Sequence, residues 1–228
     1  MVVAIPDVLD APRLAALRAL LDRAQDAWVD GRVTAGHQGA QVKRNLQIDE
    51  ASAVARDAGD IVLTALERNA HFISAALPHR VYPPMFNRYE EGMHFGSHVD
   101  GAVRLVPGSP AKLRTDLSAT LFLVDPSDYD GGELLIEDTH GMHAVKLAAG
   151  HMIVYPADSR HRVTPVTRGA RIASFFWVQS LVRDDARRRM LFDLDSAIQR
   201  VTATGADEAA RVQLAGCYHN LLRMWADT

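Results

Sequence analysis

Cysteine is nearly absent. The 228-residue chain has one, Cys217, so no intramolecular disulfide can form. That fits a reducing compartment and leads us to expect a cytoplasmic protein. Long apolar runs are missing as well. No stretch approaches the roughly 20 residues of a membrane span. The opening MVVAIPDVLDAP has no basic region and breaks at Pro6, which argues against a signal peptide. Charge of one sign is not in excess: 25 Lys and Arg face 28 Asp and Glu, for a formal charge of −3. No global field draws nucleic acid or an anionic membrane. No basic stripe with interleaved aromatics is evident, so nucleic acid is not an expected partner. Repeats and low-complexity segments are also lacking. What remains is a chain with 48% hydrophobic residues, enough for one domain with a real core, and ten histidines to trace.

The pattern falls into three parts. Residues 10–27 read as a helix, with Leu14, Leu17, Leu20, Leu21 and Ala24 at helical spacing, Asp10 as N-cap and Pro12 in the first turn. Residues 52–69 read as a second helix. In the middle, short β-rich runs such as HFGSHVD, LSATLFLVD, HMIVYPA and ARIASFFWVQS are separated by Gly- and Pro-rich turns, notably DYDGGE and VPGSPAK. Many short strands at this density indicate a sandwich or jelly roll. Beyond Asp184 the pattern is helical again, with Met190, Leu191, Leu194 and Ile198 on one expected buried side. The division expected is 1–77 as a helical and strand support region, 78–180 as the core, and 181–228 as a small C-terminal helical unit. Periodicity leaves open whether those last helices dock back on the barrel or join two copies into a homo-oligomer.

The chemistry starts at HFGSHVD. In a strand, residues i and i+2 point the same way, so His98 and Asp100 converge on one side. A third metal ligand has to come from another strand, and His161 in YPADSRHRVTPV is the best candidate. Two histidines and a carboxylate form the facial set that leaves positions open on non-haem Fe(II). Ten residues further on, alternation puts Arg171 on one face with Ala173, Phe175 and Trp177. A buried arginine is costly unless paired, and an anionic ligand would pair it bidentately.

These motifs, together with FNRYEEGMHFGSHVD, RTDLSATLFLVDPSDYDGGELLIEDTHG and VYPADSRHRVTPVTRGARIASFFWVQS, give the chain an end-to-end resemblance to the Fe(II)/2-oxoglutarate-dependent dioxygenases. Within them it most resembles the bacterial PKHD-type hydroxylases, relatives of the prolyl 4-hydroxylase catalytic domain. The resemblance implies a mainly β fold with flanking helices, a distorted double-stranded β-helix of the jelly-roll, cupin-like kind. It implies Fe(2+) at His98, Asp100 and His161, and the distal carboxylate of 2-oxoglutarate at Arg171. It also implies dioxygen and a prime substrate as partners, L-ascorbate as a protector of the iron, and Tyr89 as a co-substrate contact. Some 2-oxoglutarate enzymes use an Arg-x-Ser pair; here Ala173 holds the second position. Tyr89 and Thr120 are therefore the candidates for the carboxylate's other contacts.

Other residues have two readings. His94 shares parity with His98 and either lines the cavity or is a solvated loop histidine. His140, His143 and His151 form either a second metal site or strand-edge polarity, and we expect the latter. DGGE (130–133) is expected to be a glycine-enabled turn, and RDDARRR (183–189) a solvated helix face. VKRN (42–45) lies between the first helices, within reach of a substrate entrance. Met85, Phe86, Phe95, Trp28 and Trp225 are expected to be packing residues, and Cys217 inert. Two rival functions are weighed. A zinc hydrolase on the same barrel leaves Arg171 without a role and lacks a general base near the triad. A non-catalytic metal-binding module does not account for all three ligand positions being filled. The prime substrate is left open among a free amino acid, a peptidyl proline, a siderophore-like molecule and a modified base.

Overall fold

The computed structural model describes residues 1–138, 141–205 and 207–227. Two antiparallel sheets pack face to face around one cavity. The larger runs in the order Val3–Ile5, Met152–Pro156, Leu117–Phe122, Arg171–Ser180, Met85–Tyr89, Leu46–Ile48 and Trp28–Asp30, with Pro78–Val81 paired to the far end of Arg171–Ser180. The smaller runs Gly141–Val145, Leu134–Asp138, Arg160–Val163, His94–His98 and Lys43–Arg44. This is a distorted double-stranded β-helix with flanking helices, as the resemblance implies.

Period-two alternation builds both sides of the larger sheet. Leu117, Ala119 and Leu121 join Phe176 and Val178 in the core beneath the helices, against Leu17, Leu21, Val62 and Phe72. Their alternates Ser118 and Thr120 face the cavity. Phe122 packs inward with Tyr89, Ile136, Tyr155 and Val163. The polar residues of LSATLF therefore stand on the inner face because their apolar neighbours are needed outside.

The helices start where capping chemistry places them. Asp10 accepts from the Arg13 amide at 2.9 Å, and Ser52 from the Ala55 amide at 3.1 Å. The first helix, Ala11–Arg23, is shorter than the periodicity suggests, because Gln25–Ala27 tightens into a 3₁₀ turn. The second spans Ala53–Glu67. A further helix, Ala70–Ala76, follows at once, capped by Asn69 accepting from the Phe72 amide at 2.8 Å.

The C-terminal helices Asp185–Ala203 and Glu208–Trp225 dock back on the barrel. Ser74 donates to Asp195 at 2.6 Å, Phe192 stacks on His71, and Leu191 packs with Leu77 and Val182. Two expectations fail here. Met190 is 55% exposed, because the helix turns Arg188, Leu191 and Phe192 inward instead. RDDARRR is not wholly a solvated face either. Arg188 is buried and donates to the carbonyls of Val182 and Arg183, both at 2.7 Å, and to Asp185. Cys217 is exposed on the last helix. Among the described residues, no helix is long and apolar enough to cross a membrane.

Candidate active site

Arg160–Val163 lies beside His94–His98 in the smaller sheet, and the register sets His161 directly opposite His98. Their ring centroids are 4.2 Å apart. Asp100 lies two residues beyond the strand end. Its oxygens come within 3.9 Å of His98 Nε2 and 3.8 Å of His161 Nε2. The ligand atoms of the three lie within 4.8 Å of one another, and this is the one such cluster of three among the described residues. Both imidazoles present Nε2, because each Nδ1 is tied to a backbone carbonyl: His98 to Gly96 at 2.8 Å, His161 to Ser159 at 3.0 Å. A carbonyl can only accept, so Nδ1 carries the proton and Nε2 keeps its lone pair for a metal. Burial, with help from His161, pushes the His98 pKa down to about 4, which keeps the ring neutral as a ligand must be. Ser118 donates to Asp100 at 2.6 Å and orients the carboxylate. The donor set and its supports fit ferrous iron.

Parity fails on one strand. Between His98 and Phe95 the pairing with Arg160–Val163 shifts register, so an extra residue sits in His94–His98. Phe95 and His98, three apart, therefore face the same way, and Phe95 stacks on His98 at 3.6 Å between centroids. Phe95 lines the cavity rather than serving only as packing. His94, placed by simple alternation beside His98, instead contacts the Gly92 carbonyl at 3.3 Å and is not among the cavity-lining residues, although it opens the strand rather than lying in a loop.

The cavity has a volume of about 870 Å³. Arg171 lies in its wall, 1% exposed and directly across the strand pair from Tyr89. Its guanidinium carbon sits 5.4 Å from the Tyr89 ring and 5.2 Å from that of Phe122. Arg171 makes one long hydrogen bond, 3.4 Å to Asn87, beside the Tyr129 phenol, and its Nε has no partner among the described residues. No carboxylate of the described residues comes within ion-pair range. A buried guanidinium so placed calls for an anion from outside the chain. Tyr89 and Thr120 also line the cavity; burial raises the Tyr89 phenol to about 12, keeping it a neutral donor. Tyr155, raised well above the ordinary phenol range mainly by burial, packs edge-on to His161 at 5.2 Å.

The glycine-enabled turn also serves Arg171. Gly132 has φ +66°, and a Cβ there would lie 3.2 Å from Arg171 Cδ. Of the other histidines, His143 pairs with Asp138 at 2.8 Å and His151 with Asp7 at 3.5 Å; His140 lies outside the described residues. VKRN supplies a cavity residue, Lys43.

Residues 84–179 match the model of the 2OG-Fe(II) oxygenase superfamily, and residues 185–227 that of the PKHD-type hydroxylase C-terminal domain. A PKHD-type hydroxylase of Paraburkholderia phymatum is 69% identical over 228 residues, covering 100% of both chains. The chain belongs to the PKHD-type hydroxylases. A second relative of that name, from Paraburkholderia phytofirmans, is 66% identical with the same full coverage. A Pseudomonas putida prolyl-4-hydroxylase structure shares the fold, at 22% identity and TM-score 0.56, over 78% of this chain and 92% of that one. As a member of this family the protein is an oxidoreductase that uses Fe(2+), 2-oxoglutarate and dioxygen on a further substrate; L-ascorbate is typical of the family.

Sequence reasoning overlooked Ser118, Asn87 and Tyr155. Ser118 gave no separate signal: in LSATLF the polar residues fall on the face opposite the leucines, which is also the pattern of a strand with one solvated face.

Proposed function

We propose that His98, Asp100 and His161 hold the ferrous ion, and that Arg171 binds the distal carboxylate of 2-oxoglutarate, with Tyr89 and Thr120 contributing to that pocket. The reaction is hydroxylation of a substrate C–H bond, with 2-oxoglutarate converted to succinate and CO₂. The observation that carries this reading is the pairing of two unmet demands in one cavity. Two Nε2 lone pairs and a carboxylate face each other, and a buried guanidinium has no counter-charge among the described residues. A zinc hydrolase would leave the second demand unanswered.

Iron and 2-oxoglutarate, when bound, supply the oxidising power that inserts one atom of dioxygen into the substrate. The protein's part is orientation and dryness. The two backbone carbonyls fix the imidazole rings, Ser118 fixes the carboxylate, and Arg171 sets the direction from which 2-oxoglutarate reaches the triad. Phe95, stacked on His98, shields one side of the centre from water.

We further propose that residues 78–180 carry this chemistry, with 1–77 supporting it and 181–228 bracing the barrel, in a cytoplasmic setting without nucleic-acid partners. Incubation with Fe(II), 2-oxoglutarate and ¹⁸O₂ tests the reaction. We expect succinate bearing one heavy oxygen atom, formed by the native chain and lost in His161→Ala. Oxygen-independent succinate, or equal turnover by that variant, would sink the assignment.

A further inference from the structure

Away from Arg171, the cavity wall carries a pair of cations that the proposed chemistry does not use. Lys43 is 4% exposed, on the short strand Lys43–Arg44 opposite Phe95. Its ammonium lies 5.2 Å from the Phe95 ring and 6.0 Å from that of Phe175. Arg104, on the hairpin formed by Val103–Leu105 and Lys112–Arg114, lies 4.1 Å from the Trp177 ring and 5.2 Å from that of Tyr82. Phe175 and Trp177 touch edge to face. The two cations thus cap one aromatic row along the Arg171–Ser180 strand, and both line the cavity.

Neither has a carboxylate within ion-pair range among the described residues. Lys43 donates to Thr34 at 3.2 Å. The nearby acids are engaged elsewhere: Glu50 accepts from Tyr82, Asp100 from Ser118, and Asp30 is tied to Arg32. Burial, with repulsion from Arg104, draws the Lys43 pKa down to about 8. Ring contacts offset only part of the cost of burying an ammonium. Two like charges held at one aromatic wall, with no carboxylate of the described residues in ion-pair range, suit an anion from outside the chain.

This site is separate from the co-substrate's. Phe175 and Trp177 lie four and six residues along the strand from Arg171, roughly 13 and 20 Å at about 3.3 Å per residue. It is nonetheless close to the triad, because Lys43 and His98 both contact one ring, that of Phe95. Exposed Val99, Val103 and Leu105 rim the opening.

We propose that Lys43 and Arg104 bind a carboxylate of the prime substrate, whose apolar body lies along Phe95, Phe175 and Trp177. The substrate is therefore an acid with an apolar or planar body. This rests on the reading of the triad as the reaction centre, but its test does not.

Benzoate and its neutral counterpart benzamide serve as probes, followed by ligand-observed NMR on the metal-loaded, anaerobic protein with saturating 2-oxoglutarate. Benzoate should bind saturably and at least about tenfold tighter than benzamide, the scale of one charge-assisted hydrogen bond. Its affinity should fall by a similar factor in Lys43→Met and in Arg104→Gln, and return in Lys43→Arg. Benzoate should also protect Lys43 from acetylation by a water-soluble active ester, read by peptide mass spectrometry. Equal binding of the two probes, undetectable benzoate binding, or full affinity in a folded Lys43→Met, Arg104→Gln double variant would overturn the proposal. So would benzoate binding that is seen only when 2-oxoglutarate is left out, since that would place the anion at Arg171. A separate measurement, 2-oxoglutarate binding without benzoate, reads the Arg171 assignment alone.

Discussion

Single side chains carry two predictions. Ser118 holds Asp100 by one short hydrogen bond, 2.6 Å long and shielded from water. Supports of this kind are typically worth about 10- to 100-fold in metal affinity. Ser118→Ala should weaken Fe(II) binding by that factor, measured by competition with a chelator, while the melting temperature stays nearly unchanged. Lys43 gives a pH signature. Its pKa is lowered to about 8 in the folded protein from an ordinary 10.5, so its charge costs stability below about pH 8, and that cost disappears as pH rises through 10.5. At pH 7 the cost is on the order of 3 kcal/mol. Lys43→Met should be more stable than the native chain at pH 7, and the advantage should shrink steadily towards pH 10.5. Urea unfolding at several pH values checks this; a pH-independent difference would contradict it.

Strands and turns show what was legible and what was not. His98 and Asp100 could be grouped from sequence because residues two apart in an extended run share a face, and His161 because it opens another short β run. Arg171 could be found because a charge stands where the pattern demands an apolar residue. The extra residue in His94–His98 could not be seen, since HFGSH reads as unbroken alternation. It is visible only in the pairing with Arg160–Val163, and it exchanged the places expected for His94 and Phe95. Lys43 was legible only as part of VKRN, a stretch within reach of a substrate entrance, and not as the one residue of it facing the cavity beside Phe95, because a two-residue strand carries no periodicity. The DGGE turn was legible as a turn, though not as the bed of Arg171. At Gly131, with φ +71°, a Cβ would lie 2.0 Å from the Pro165 carbonyl oxygen, which is backbone and cannot move aside. At Gly132 the neighbours are the side chains of Val166, Tyr129 and Arg171 at 3.0 to 3.2 Å. Gly131→Ala should therefore cost more stability than Gly132→Ala, the latter about 1–3 kcal/mol from backbone strain. Gly132→Ala should in addition weaken 2-oxoglutarate binding. Denaturant titration and co-substrate affinity separate the two effects.

At the scale of the molecule, the barrel, its helical cover and the C-terminal pair make one connected body. The β core was readable because short strands and turn signals recur. Docking of the last helices was not, because their apolar stripes are thin and the contacts are specific: Ser74 with Asp195, His71 with Phe192. Arg188 is the least expected of these anchors, a buried cation holding two carbonyls and Asp185. Arg188→Met should destabilise the protein by about 3 kcal/mol, the usual cost of breaking a buried charged network, and leave the affinity for 2-oxoglutarate unchanged.

The central claim is that one cavity gathers a ferrous ion at the triad and 2-oxoglutarate at Arg171. Anaerobic titration of the Fe(II)-loaded protein with 2-oxoglutarate, followed by visible absorption, tests it most directly. The account predicts a saturable metal-to-ligand charge-transfer band, absent in His161→Ala and needing much higher 2-oxoglutarate in Arg171→Gln. A native protein that binds iron but develops no band at any 2-oxoglutarate concentration would contradict it.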